Sequence, residues 1–485
     1  MSEKVLSVLK ENVIRIWRLI KFAGCLCLIL ATFYHGYNYL NKVFKNPDVY
    51  YGEGFHNMPE DSVDILVLGS SHAQYSFIPM YVYQNTGLYS YVLGSACQPL
   101  RVSYEMLKEA LKTQSPELVV LEAFTATPLK SSCDGDSCYV TAEYQMTGQE
   151  KLNTINFLPE EKAKTYINDF LNYHNNWKTM ESFEDFKYKE NKELDYAFGY
   201  VYAGAPLPAS NFWYQPHFNE MPEVELDSTD LQAFNNIYNL CQENGIQLLL
   251  YMMPMDSLDE INQAYRYKIW DWADEHEVKY LDFVDMAEKL DYRMQIHNDG
   301  FHSYSNGSSF ITDYISDYIV DNYDIKNHKD NEFLNKAYKK LSSAYTIGVL
   351  NTEFNPKKYM RRFVNYPGTI VMRYSGNQDM DSTTEKYLYD MGVSEDFNKY
   401  GCYLAIFKND ELITHSDSEF ECDIDGHHFL VNKDCIIYDD EIIDNVGGFS
   451  FAVFENTYNT NIVKRISFVP NTWDYGYDTD YNQAY

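Results

Sequence analysis

The sequence contains nine cysteines but no Cys-x-x-Cys pair, and no cysteines and histidines stand together at zinc-ligand spacing. This absence excludes the common structural zinc sites, and we expect neither a metal nor another cofactor. Basic residues are scarce, since 39 lysines and arginines stand against 71 aspartates and glutamates, giving a formal net charge of −32. A field of that sign repels phosphate groups, so we expect no nucleic-acid partner. The chain also lacks internal repeats and low-complexity tracts.

What the sequence has is length and apolar content. At 485 residues it is too long for one typical domain, and we expect two or three. Apolar residues make up 45% of the chain, which is enough to bury a large core. Aromatic residues make up 16%, and most of them are tyrosines. Packing in the core explains most of this tyrosine content.

A hydrophobic stretch lies near the N-terminus. Residues 19–40 read LIKFAGCLCLILATFYHGYNYL and are preceded by Lys10, Arg15 and Arg18. With its aromatic flank, the stretch reaches roughly the 20 residues that a bilayer requires. Because positive charge precedes the run, the pattern predicts a single-pass anchor in the cell membrane, with a cytoplasmic N-terminus and an extracellular remainder.

Three other interpretations of this stretch stay open. A cleaved signal peptide would need a small-residue site after the run, where ATFYHG is a poor match. The sequence FAGC at residues 22–25 is similar to a lipoprotein box, but it begins the apolar run instead of ending it. A buried core helix is the third interpretation. The compartment also decides the state of Cys133 and Cys138, which flank a polar loop and would form a disulfide under oxidising conditions, although free thiols fit equally well.

Five short apolar runs alternate with helical patterns after a polar stalk at residues 41–60. The candidate strands are VDILVLG (63–69), YSYVLG (89–94), PELVVLEAF (116–124), IQLLLYMMP (246–254) and VKYLDF (278–283). Continuous apolar runs of this kind are typical of a parallel sheet covered on both faces. The pattern therefore predicts an α/β domain over residues 61–325. An insertion at about 140–226 interrupts it, and is either a lid over the sheet or a decoration without catalytic role.

The character of the chain changes after a linker helix expected at residues 326–349. Residues 350–485 show short alternating runs separated by polar turns, for example GTIVMRY (368–374), CYLAIF (402–407) and FSFAVF (449–454). Such spacing predicts a second, β-rich accessory domain with a sandwich-like arrangement. The whole chain is thus expected to comprise an N-terminal segment and anchor at 1–40, the stalk, the α/β domain, the linker and the β-rich domain.

A serine follows the first predicted strand of the α/β domain. Gly69 and Ser70 precede Ser71 at the end of VDILVLG. Open α/β sheets place their active sites at the carboxyl ends of strands, and a helix that starts there directs backbone N–H groups at a developing oxyanion. Ser71 is therefore a candidate nucleophile.

A histidine and an aspartate stand on a loop before the last helix of the same domain. Asp299 and His302 are separated by two residues in the sequence HNDGFH. This spacing allows the carboxylate to hold one imidazole nitrogen while the other faces a serine as general base. A metal site is the competing interpretation, but only His297 stands nearby as a further ligand, and we expect none.

Order and spacing together resemble the SGNH (GDSL-like) hydrolases, and Gly69-Ser70-Ser71 is similar to the variant in their DltD-like and alginate-acetylation-like, membrane-anchored branch. The resemblance covers roughly residues 60–325 and implies a flavodoxin-like, three-layer fold. It implies Ser71 as nucleophile, His302 as base and Asp299 as its orienting partner. It also implies that the backbone N–H of Gly94 joins that of Ser71 in the oxyanion hole.

The resemblance fails at one position. These hydrolases place an asparagine after the third strand as an oxyanion donor, whereas Glu122 occupies that stretch here. An ionised carboxylate at the oxyanion would oppose catalysis, so Glu122 must point away, be protonated or bind substrate. Glu122 is therefore a candidate substrate-binding residue. His72, which follows Ser71, and Trp213, which stands in an aromatic cluster that could stack on sugar rings, are two more.

Proteins of the branch that the chain resembles act in O-acylation of cell-wall polymers or exopolysaccharides. The resemblance implies an extracytoplasmic acyltransferase, with a membrane-bound O-acyltransferase as partner and a glycan or a teichoic-acid-like polymer as substrate. A carbohydrate esterase or deacetylase with the same three residues is the first alternative. A non-catalytic polysaccharide-binding scaffold is the second.

Overall fold

The computed structural model describes the chain apart from residues 1–2, 45–52, 129–145, 159, 167–172, 187–196, 202–217, 219, 256–257, 290–301, 329–330, 351–355, 377–381, 445–447, 455–462 and 469–485. The contacts within the chain define two units. One comprises Met1–Tyr50 with Thr147–Lys192, and the other comprises Tyr51–Met146 with Glu193–Tyr485.

The elements are as follows. The helices are α1 Glu3–Phe44, α2 Glu53–His56, α3 Ser71–Ser76, α4 Pro79–Thr86, α5 Leu100–Ala110, α6 Gly148–Ile155, α7 Glu160–Tyr166, α8 Ser228–Asn244, α9 Glu260–Glu275, α10 Phe283–Lys289, α11 Ser305–Asn322, α12 Glu332–Leu350, α13 Pro356–Phe363 and α14 Ser382–Asp390. The strands are β1 Ile65–Gly69, β2 Ser90–Gly94, β3 Leu118–Glu122, β4 Gln247–Met252, β5 Lys279–Asp282, β6 Thr369–Ser375, β7 Cys402–Lys408, β8 Glu411–Ser416, β9 Glu419–Ile424, β10 His427–Asn432, β11 Ile436–Tyr438, β12 Glu441–Asp444, β13 Gly448–Phe454 and β14 Val463–Phe468.

The smaller unit joins α1 to the short helices that follow residue 147. The Tyr39 hydroxyl donates to the backbone carbonyl of Phe186 at 2.9 Å. The amide of Asn176 donates to the carbonyl of Phe44, the last residue of α1, at 2.8 Å. The rings of Phe44 and Phe186 meet edge to face with 6.3 Å between their centroids. This part of the insertion therefore packs at the C-terminal end of α1.

The prediction of a membrane anchor in this unit is wrong. Residues 19–40 do lie in α1, but none of the helices in the described ranges has a stretch of sufficient length and apolarity to span a bilayer. The apolar run between Lys21 and His35 covers roughly 20 Å at 1.5 Å per residue, against about 30 Å of hydrocarbon. The predicted single-pass membrane localisation, which depends on this anchor, is therefore wrong as well.

The larger unit contains the parallel sheet that the apolar runs predict. Its strand order is β2-β1-β3-β4-β5, and every pairing within it is parallel. All five positions of β1, β2 and β3 are buried, as are all but the first positions of β4 and β5. This order is the flavodoxin-like order, in which the chain reverses direction across the sheet between β1 and β3. The α/β prediction is confirmed.

Two groups of helices cover this sheet. Helix α8 packs with α9, where Phe234 and Trp272 stack with their ring centroids 4.9 Å apart. Helix α11 packs instead on α3 and α4, because Thr312 accepts from the backbone N–H of Ile78 at 3.0 Å and donates to the carbonyl of Ser76 at 3.2 Å. Strands that are buried at every position need cover on both faces, and these helices supply it.

A buried carboxylate stands at the amino end of the sheet. Asp64 directly precedes β1, has no exposed surface, and accepts from the backbone N–H of Tyr89 at 2.7 Å and from the imidazole of His328. Burial raises the pKa of the Asp64 carboxyl above its ordinary value, and these hydrogen bonds oppose the shift. Asp64 thus ties β1 to the segment that precedes α12, far from the carboxyl ends of the strands.

The end of the insertion lies along the edge of the sheet. The backbone N–H of Val92 in β2 donates to the carbonyl of Phe198 at 2.9 Å, and that of Val201 donates to the carbonyl of Gln74 at 2.8 Å. Gly199 stands between these contacts with a φ of +83°. A short stretch of the insertion therefore covers the free edge of β2.

The C-terminal region contains two antiparallel sheets, of order β14-β13-β6-β7-β8 and β12-β11-β10-β9. Side chains of both sheets form one apolar cluster, which includes Val371 and Ile406 from the first and Phe429 and Val431 from the second. The opposite face of the larger sheet packs on residues of α13 and α14, such as Met360 and Leu388. The β-rich prediction is confirmed, and helices form an additional layer.

Candidate active site

The turn after β1 brings Ser71 to the carboxyl end of the sheet. Ser70 caps α3, since its hydroxyl oxygen accepts from the backbone N–H of His72 at 3.2 Å, and Ser71 is the first residue of that helix. Gly69 has a φ of +155°, and a Cβ at this position would lie 2.7 Å from the Cβ of Glu122. The turn between β1 and α3 therefore packs closely against the end of β3. This is the point where the strand order reverses, and open α/β sheets bind ligands there.

His302 reaches Ser71 from the other end of the domain. Its Nε2 atom lies 2.8 Å from the Oγ atom of Ser71, although the two residues are 231 positions apart in sequence. His302 precedes α11, which is held against α3 because the Ser308 hydroxyl donates to the carbonyl of Tyr75. The contact has the geometry of a serine hydroxyl facing its general base.

Two aromatic rings flank the His302 imidazole. The Tyr75 ring lies with its centroid 4.8 Å away, and the His72 ring meets it nearly at right angles at 5.4 Å. Tyr75 was not singled out from the sequence, although it stands four residues after Ser71 and so shares its helix face. These two neighbours restrict the orientation of the imidazole.

Gly94 lies beside the turn that carries Ser71. It ends β2 and pairs with Gly69 in the register of the parallel strands. A Cβ on Gly94 would lie 3.0 Å from the Cγ atom of Gln74 and 3.1 Å from the carbonyl oxygens of Gly69 and Ser70. The backbone of the second loop thus packs directly against the turn, which is compatible with the oxyanion role expected for Gly94.

Side-chain hydrogen bonds hold the loop that follows Gly94. The Ser95 hydroxyl donates to the side-chain Oε1 atom of Gln98 at 2.9 Å, and the side-chain amide nitrogen of Gln98 donates to the Ser103 hydroxyl at 2.8 Å. Cys97 in the same loop is disulfide-bonded. Sequence reasoning missed this loop, because its bonds depend on the fold of β2 against α5 and no motif marks them.

Glu122 is completely buried beneath the turn instead of facing an open cleft. One carboxylate oxygen accepts from the Ser70 hydroxyl at 3.1 Å, and the other accepts from the backbone N–H of Phe124 at 3.0 Å. His72 is almost completely buried as well, and its ring lies 3.9 Å from that of Phe124. Both carboxylate oxygens of Glu122 thus have partners inside the protein, and the substrate-binding roles expected for Glu122 and His72 stay predictions.

Two of the residues expected in the site fall on stretches that the structure does not describe. They are Asp299, the expected orienting partner of His302, and Trp213, a candidate substrate contact, and their roles remain predictions. Cys133 and Cys138, considered above as a bridge or as free thiols, also lie outside the described residues. Among the described residues, no three His, Cys, Asp or Glu side chains gather as a metal site would require.

Comparison with known proteins adds little to this geometry. No family model matches the chain, and no curated protein matches it. Solved structures do match, among them a GDSL-like lipase from Bacteroides thetaiotaomicron, 11% identical over 53% of this chain and 87% of that one, with a TM-score of 0.26. Another is an esterase, 13% identical over 55% of this chain and 99% of that one, with a TM-score of 0.22. Scores this low do not establish a common fold.

Proposed function

We propose that this chain is a serine enzyme of acyl-ester chemistry, similar to the SGNH hydrolases. Ser71 is the nucleophile and His302 is the general base. The observation that carries the proposal is the 2.8 Å contact between His302 Nε2 and Ser71 Oγ at the carboxyl end of β1. Two independent features of a nucleophilic site therefore occur together: a serine hydroxyl within hydrogen-bonding distance of a base, and a position at the reversal point of a parallel sheet.

The chemistry follows from the positions of these groups. His302 accepts the proton of the Ser71 hydroxyl while the oxygen attacks the carbonyl carbon of an ester. The bond to the leaving alcohol then breaks, and that alcohol receives the proton from His302, which leaves an acyl ester on Ser71. The backbone N–H groups of Ser71 and Gly94 bind the oxyanion in this scheme, and Asp299 orients the imidazole.

We propose further that a glycan hydroxyl, instead of water, accepts the acyl group. Glu122 stands where the related hydrolases place an amide donor, and both its oxygens already accept hydrogen bonds. Loss of one oxyanion donor slows such reactions by about 10²–10³-fold, which suits transfer to a bound acceptor better than rapid hydrolysis. A membrane-bound O-acyltransferase is the proposed acyl donor, and a cell-wall polymer or exopolysaccharide is the proposed acceptor.

The nucleophile can be tested with a fluorophosphonate probe on the full chain. We expect the probe to modify Ser71, because an activated serine attacks phosphorus as it attacks an ester carbonyl. Peptide mass spectrometry identifies the modified residue. The Ser71→Ala variant is the matched control and should remain unmodified. A folded wild-type protein without label at Ser71 would contradict the proposal and favour a polysaccharide-binding scaffold.

The acceptor can be tested with p-nitrophenyl acetate as acyl donor. Transfer predicts that a chito- or xylo-oligosaccharide raises the rate of p-nitrophenol release and appears in acetylated form by mass spectrometry. The Ser71→Ala variant should show neither effect. Acetate as the sole acyl product, with p-nitrophenol released at a rate independent of the sugar, would instead identify a carbohydrate esterase.

A further inference from the structure

Glu122 occupies a position at which a carboxylate has no direct use in oxyanion binding. It ends β3, has no exposed surface, and its Cβ lies where a side chain on Gly69 would have to stand. Burying a charged group is costly unless hydrogen bonds compensate it. The two bonds to Ser70 and Phe124 supply that compensation and consume both oxygens.

Ser70 connects this carboxylate to the nucleophile. Its hydroxyl hydrogen is directed at Glu122, which leaves the oxygen free to accept from the backbone N–H of His72. That second bond caps α3 and fixes its first turn. Because Ser71 is the first residue of α3, the orientation of the Ser70 hydroxyl also fixes the position of the nucleophile.

His72 connects the same carboxylate to the base. The Nδ1 atom of His72 lies 3.7 Å from Oε1 of Glu122, is buried, and has no hydrogen-bond partner among the described residues. The His72 ring lies tilted by 34° against the Phe124 ring and stands nearly at right angles to the His302 ring. The Glu122 carboxylate is therefore a polar group close to the Nδ1 atom of this imidazole.

We propose that Glu122 is a positioning residue that, through Ser70 and His72, holds Ser71 and His302 in their reactive arrangement. It touches neither substrate nor reacting atoms. The inference rests on the proposed serine chemistry and assigns to Glu122 a role that replaces direct oxyanion binding. A carboxylate suits this role because it has acceptor sites for a hydroxyl and an N–H while it faces an imidazole.

The test measures fluorophosphonate labelling of Ser71 in the full chain, separated into the maximal rate constant and the probe concentration at half-maximal rate. For Glu122→Ala we expect the maximal rate constant to fall by about 10²-fold, since small displacements of reacting groups cost this much. The half-maximal concentration should stay within about threefold, because Glu122 does not contact the probe. The conservative variant Glu122→Gln can still accept from Phe124 and donate to Ser70, so it should recover most of the rate.

A double-mutant cycle with Ser70 identifies the route of the effect. Ser70→Ala should reproduce most of the loss, and adding Glu122→Ala to it should cost much less than Glu122→Ala costs in the wild-type background, because both changes interrupt one connection. Asp64→Asn is the matched control. It alters another buried carboxylate, which directly precedes β1 at the opposite end of the sheet, and should lower the melting temperature without changing the labelling rate.

Three results would overturn the role of Glu122. They are a folded Glu122→Ala protein labelled at the wild-type rate, a change confined to the half-maximal concentration, and full additivity with Ser70→Ala. Should Glu122→Ala not fold, Ser70→Ala decides the question, and a folded Ser70→Ala protein labelled at the wild-type rate overturns the role. Absence of label in the wild-type protein would overturn the serine chemistry itself and this role with it, whereas a labelled wild type with an unaffected Glu122 variant overturns only the positioning role.

Discussion

His302→Ala is expected to slow fluorophosphonate labelling of Ser71 by about 10²–10⁴-fold, the range that general-base catalysis contributes. The reason is the 2.8 Å contact between the two side chains, which makes His302 the described group that can accept the serine proton. Without it the hydroxyl must react in its neutral form. The measurement is the labelling rate over a time course, with the Ser71 peptide quantified by mass spectrometry.

His276→Ala is the matched control for this substitution. His276 also lies between helix and loop, with Nδ1 2.8 Å from the carbonyl of Trp272 and its ring stacked on the indole, but it belongs to α9 and its cap. Its removal tests the general effect of losing an imidazole. We expect unchanged labelling in His276→Ala. Equal rates in wild type and His302→Ala would show that another group activates Ser71.

Gly199→Ala is expected to lower the free energy of unfolding by about 2–6 kcal/mol, the sum of backbone strain and overpacking. A Cβ at Gly199 would lie 1.9 Å from the carbonyl oxygen of Val92, and the φ of +83° is itself unfavourable for alanine. Because Val92 is in the middle of β2, its carbonyl cannot retreat without disturbing the pairing with β1. Urea denaturation followed by circular dichroism measures the loss.

Gly245→Ala separates strain from collision. Gly245 ends α8 with a φ of +69°, and no atom lies within 4 Å of the Cβ that alanine would add. We therefore expect the free energy of unfolding to fall by only about 1–2 kcal/mol, which is the cost of placing alanine in a left-handed backbone conformation. If both glycine variants lose the same free energy, the stretch around Gly199 has room to move away from β2, and the predicted collision does not occur.

The sequence was informative where burial left no choice of residue. The runs ILVLG and QLLLYM predict strands because parallel strands between two layers are apolar at every position, and the structure contains them as β1 and β4. Strands β8, β9, β10 and β12 were not identified. In β9, for example, half-buried and exposed side chains alternate over EFECDI, and its acidic residues make it similar to a polar turn.

In the site, too, the sequence identified residues that a motif marks but not contacts that depend on the fold. Ser71 and His302 were selected from motif and spacing, and the fold brings them into contact. The bonds of Glu122 could not be predicted, because they depend on the register that sets the end of β3 beside the end of β1. The anchor prediction failed for another reason: aromatic residues after residue 33 were counted as part of a span, although polar residues separate them.

The sequence distance between Ser71 and His302 has a consequence for biosynthesis. A ribosome completes the nucleophile early and the base some 231 residues later, and α11 must still emerge before it can dock on α3. At the roughly 5–20 residues per second of translation, the serine stays unactivated for at least about ten seconds. With the roles proposed for Ser71 and His302, the nascent polypeptide should be unreactive towards esters until its α/β domain is nearly complete, and the onset of reactivity should coincide with the addition of α11.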